Sequence, residues 1–73
     1  MKHFKASFRG EKPLHEIHEA VGHDGGMVTR VHVEKGETHV YFAGGEGKGE
    51  HLRKQLGGDA PKEVREEEIS RIG

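Results

Sequence analysis

Two β-rich runs, residues 27–34 and 37–43, flank the dipeptide Lys35-Gly36. If Lys35-Gly36 is the loop, Glu34 faces Glu37. The pairing that follows sets Val33 against Thr38, Val31 against Val40 and Thr29 against Phe42. Those pairs share one face and are mostly apolar. On the other face His32 meets His39 and Arg30 meets Tyr41. A single register sorts both strands, and a one-residue slip would mix the two faces. The sequence therefore predicts a hairpin with a defined inside and outside.

Residues 3–9 alternate in the same way. Phe4, Ala6 and Phe8 lie on one side, and His3, Lys5, Ser7 and Arg9 on the other, as in a half-buried strand. Pro13 is placed to open a helix, in which Leu14, Ile17 and Val21 form one apolar stripe before Gly22 stops it. The segment Gly44-Gly45-Glu46-Gly47-Lys48-Gly49 leads into a second helix carrying Leu52 and Leu56, which ends at Gly57-Gly58. In residues 59–72, Asp59, Pro61 and Glu63 suit a helix start, and the glutamate-rich run prefers helix. The alternative is a fourth strand.

The expected fold class is α+β: a small β-α-β-β-α sheet with helices on one face plus a C-terminal helix. The alternative is a ferredoxin-like β-α-β-β-α-β fold. A parallel crossover through the first helix would bring strands one and three together. The expected core is Phe4, Ala6, Phe8, Leu14, Ile17, Val21, Val31, Val33, Val40, Phe42, Leu52, Leu56, Ile69 and Ile72. Residues 1–73 are expected to form one small domain, because a chain of this length has room for only one core. With 30% hydrophobic residues that core is small, and self-association burying more apolar surface would help it. There is no cysteine, so neither a disulfide nor a thiolate zinc site is available. No segment reads as a signal peptide or membrane span, so the expectation is a cytoplasmic protein without membrane contact.

The first candidate site is the sheet face opposite the helices, carrying Lys5, Arg9, Arg30, His32, His39 and Tyr41. Such a face can pair with another subunit, or bind single-stranded nucleic acid through stacking and phosphate contacts. The second is the glycine loop, with Gly45, Gly47, Lys48 and Gly49 as an anion-binding entry to a helix. Its spacing fits neither the Walker nor the dinucleotide pattern. The histidines are the third: His15 and His18 share a helical face, and His32 and His39 are cross-strand neighbours. Each pair supplies two ligands and no third is set by spacing, so the expectation is no metal and no cofactor, with weak histidine-based metal binding as an alternative. Catalysis has little support, since Ser7 could approach His32 or His39 but no residue is placed to orient the base.

The strand order and length resemble those of small ferredoxin-like modules such as heavy-metal-associated domains. The resemblance is one of topology. That family's Cys-x-x-Cys would fall near residues 10–13, here Gly-Glu-Lys-Pro, so thiolate copper binding does not carry over. The glycine-rich entry to the second helix is also similar to that of double-stranded RNA-binding domains. Lys48, Arg53 and Lys54 lie there, alongside Glu46 and Glu50.

The functional expectation is a non-enzymatic binding or regulatory module acting through protein–protein contacts. A homodimer formed through an open sheet edge or face is the leading case. In that reading strand one is the unprotected edge. A nucleic-acid-binding module using the basic face is the alternative.

Overall fold

The computed structural model of the chain describes residues 2–45, 49–58 and 60–70. The order of elements is β1 (His3–Arg9), α1 (Leu14–His23), β2 (Gly26–Glu34), β3 (Glu37–Gly44), α2 (Glu50–Leu56), β4 (Lys62–Val64) and α3 (Glu66–Ser70). The four strands form one sheet in the order β2-β3-β1-β4, with every neighbouring pair antiparallel. β1 and β2 thus run the same way with β3 between them, which is the parallel crossover through α1. The fold is mixed α+β, a four-strand antiparallel sheet with three helices, compatible with a ferredoxin-like arrangement.

Period-two alternation puts Phe4, Ala6 and Phe8 of β1 opposite Phe42, Val40 and Thr38 of β3. These residues, except Thr38, join Ile17, Ala20 and Val21 of α1 and Leu52 of α2 in one core cluster. Both helices therefore cover the same sheet face, and the rings of Phe4 and Phe42 stack at 5.5 Å. Thr38 is fully buried at the edge of this core. Its hydroxyl donates to Gly10 O at 2.6 Å and accepts from Lys12 N–H at 3.3 Å, so it ties the β1–α1 connection to β3. Buried hydroxyls are tolerated when bonded in this way.

The hairpin pairs as its sequence indicates from Arg30–Tyr41 to Glu34–Glu37. It departs at Thr29. The register shifts between Val28 and Arg30, so Val28, and not Thr29, opposes Phe42. Thr29 is the extra residue of a β-bulge, which keeps apolar Val28 on the helix side.

Two expected core residues lie at the surface: Leu14 is 59% exposed and Val33 50% exposed. Leu14 opens α1, and Val33 sits on β2, the outermost strand. Val31 and Leu56 pack partly against the core, Ile69 is half-buried, and Ile72 falls outside the described residues. Ala20, Tyr41 and Ala43 are buried although none was expected in the core.

In the tail the fourth-strand alternative holds for one part and the helix for another. Lys62–Val64 pairs antiparallel with His3–Lys5, and only Glu66–Ser70 is helical. Asp59, part of the expected helix start, lies outside the described residues. Backbone groups along the open side of β1 need partners, and a short strand supplies them along His3–Lys5. Pro61 suits the entry to that strand as well as it suits a helix start, since its fixed φ and missing N–H are tolerated at an edge. β1 is consequently covered by a strand along His3–Lys5, and among the described residues no strand pairs with Ala6–Arg9 on that side. Among the described residues no strand lies on the outer side of β2, so β2 is the long free edge.

Candidate functional site

The hairpin and β1 place Lys5, Ser7, His39, Tyr41, Arg30 and His32 on the face away from α1 and α2. Lys5 opposes Tyr41 and Ser7 opposes His39, while Arg30 and His32 oppose Tyr41 and His39 from the other side. The side chains form local pairs. The His32 and His39 rings stack with centroids 6.3 Å apart and planes at 23°. Ser7 Oγ and His39 Nδ1 are hydrogen-bonded at 2.8 Å. Glu37 Oε2 lies 3.7 Å from His39 Nε2, and Glu34 Oε2 lies 3.4 Å from His32 Nε2. His39 thus has an orienting partner that its sequence position did not reveal. That contact is longer than a hydrogen bond and Glu37 is exposed, so it holds the ring only weakly.

Tyr41 differs from the expectation of an open aromatic. Its face is the expected one, but the residue is only 5% exposed. Lys5 Nζ lies 5.6 Å from the ring centroid, within cation–π range. The ring is therefore committed to packing and is not a free stacking platform. Arg9 and Arg30 are exposed, and Lys5, His32 and His39 are half-buried.

The glycine loop is only partly described, and Gly47 and Lys48 fall outside the described residues. Gly49 is buried in a left-handed conformation, with φ of 82°. A Cβ there would meet Pro61 Cγ at 2.8 Å and Phe42 Cζ at 2.9 Å. At Gly45 the nearest atom to such a Cβ would be Asp24 O, at 2.9 Å. Close packing against protein explains both glycines without an anion.

The most tightly built polar cluster joins residues that their separation in the chain keeps apart. Asp24 follows α1, and its side chain is only 6% exposed. Its Oδ2 accepts the backbone N–H of His51 at 3.0 Å, and its Oδ1 accepts His51 Nδ1–H at 2.7 Å. His23 stacks on His51 at 5.4 Å. One carboxylate thus closes the end of α1 against the start of α2. His15 and His18 are exposed on α1. Among the described residues no group of three or more histidines and carboxylates is disposed to hold a metal ion. No helix among them is long and apolar enough to cross a membrane.

Among the described residues no strand pairs with the outer edge of β2. Lys35 and Gly36 both have positive φ, 50° and 76°, the signature of a type I′ two-residue turn. In such a hairpin the flanking pair, Glu34–Glu37, exchanges both backbone hydrogen bonds, and bonded pairs then alternate along the ladder. Glu34, His32 and Arg30 therefore direct their N–H and C=O groups toward β3, while Val33 and Val31 direct theirs outward. Between the bulge at Thr29 and the turn at Lys35 the free edge reads Arg30-Val31-His32-Val33-Glu34. Comparison with known proteins adds no assignment: no family model, curated protein or solved structure matches this chain.

Proposed function

We propose that this protein is a small non-enzymatic binding module that acts through protein–protein contacts by adding a strand at the outer edge of β2, and that its first partner is a second copy of itself. The observation that carries this reading is the free edge itself. It presents outward-facing backbone groups at Val31 and Val33, and Val33 is 50% exposed. Unpaired strand edges invite further pairing, and main-chain hydrogen bonds then supply much of the affinity. The small core gives the chain a reason to bury more apolar surface. Binding of single-stranded nucleic acid on the basic face is the weaker reading, because Tyr41 is buried and base stacking needs an accessible ring.

Sedimentation equilibrium over a wide concentration range tests the proposal. The expected result is reversible self-association of the wild type and loss of that association in Val33→Lys, with unchanged far-UV circular dichroism. A charge at an exposed edge position discourages pairing without disturbing the core. A wild-type chain that stays monomeric at every concentration overturns the self-association reading.

A further inference from the structure

We infer that two copies of the chain pair antiparallel through residues 30–34 of β2 about a two-fold axis at His32, an inference that rests on the edge-binding reading above and specifies its register. The segment Arg30-Val31-His32-Val33-Glu34 is complementary to itself when reversed. With His32 opposite His32 of the second copy, Val31 lies opposite Val33 twice, and Arg30 lies opposite Glu34 twice. The valines fall on the helix side, continuous with the row that holds half-buried Val31 and exposed Val33. Each Arg–Glu pair falls on the opposite face, where both side chains are exposed.

Backbone parity selects the same register. Val31 and Val33 carry the outward N–H and C=O groups, so they must face each other for the new ladder to bond. A one-residue slide sets outward groups opposite inward ones. Sliding two residues one way puts Arg30 opposite His32 of the copy and loses its pairing with Glu34. Sliding two residues the other way puts Val31 opposite Lys35, which belongs to the turn. The structure bounds the pairing at both ends, by the bulge at Thr29 and by the turn at Lys35-Gly36. An isologous contact of this kind closes on itself. The opposite edge of the sheet, β4, is three residues long and offers little to continue it.

At the axis the two His32 residues form a non-bonded pair, the closer of the two antiparallel spacings. The His32–His39 stack of each copy then continues across the interface as a row of four imidazoles.

A charge-swap cycle on the full chain, read by sedimentation equilibrium, tests the register. Arg30→Glu places glutamates opposite each other twice, and Glu34→Arg does the same with arginines. Each single variant is expected to raise the dimer dissociation constant about tenfold or more, and R30E/E34R to return it close to wild type. Restoration by the double variant also shows that the singles failed through charge and not through misfolding. Self-association that ignores both single swaps, or that the double swap does not rescue, overturns this register while leaving edge binding standing. A wild type that never associates overturns both.

Discussion

Gly49 stands at the N-cap of α2 and has no side chain with which to accept an amide hydrogen. The first turn of that helix depends instead on Asp24, whose carboxylate takes the His51 N–H and the His51 ring together. Removing a capping acceptor costs about 1–2 kcal/mol, and a hydrogen bond to a charged group lies in a similar range. Asp24→Ala is therefore expected to lower unfolding free energy by about 1–2 kcal/mol in urea denaturation, with Asp24→Asn recovering part of the loss. A change within experimental error would mean that α2 needs no such cap. Nothing local marks this pair, since residues 24 and 51 meet only after α1 and α2 pack on the same face. Alternation likewise puts Thr38 on the apolar side, but its hydroxyl's partners, Gly10 and Lys12, come from a distant connection.

The hairpin was the most legible element because turn chemistry and two alternating strands agree on one register. Its flaw is Lys35, which adopts φ of 50° without the tolerance of glycine or asparagine for that region. Lys35→Asn is expected to raise unfolding free energy by about 0.5–1 kcal/mol, seen as a higher urea midpoint with unchanged slope. The bulge at Thr29 is invisible in the sequence because an extra residue leaves no trace in alternation until the strands are paired. The tail divides between strand and helix for a related reason. Its glutamates favour helix locally, while three residues before them are drawn into the sheet by the open side of β1. That one short pairing covers the start of β1 and leaves β2 as the longer free edge.

Across the whole molecule, edge pairing has a consequence that can be read amide by amide. Val31 and Val33 have outward N–H groups with no partner among the described residues, whereas His32 bonds within the hairpin. Hydrogen exchange at Val31 and Val33 is expected to slow as protein concentration rises, while His32 stays protected throughout. Concentration-independent exchange at all three positions would contradict pairing at this edge. Outside the tail, strand and helix identity, the two faces of the hairpin and most of the core follow from residue order alone, because side-chain period and turn preference are local properties. The partner of β1, the bulge, the burial of Tyr41 and the Asp24–His51 contact were settled by the assembled fold. Each depends on which surfaces compete for the same neighbours in space, and no spacing along the chain encodes that competition.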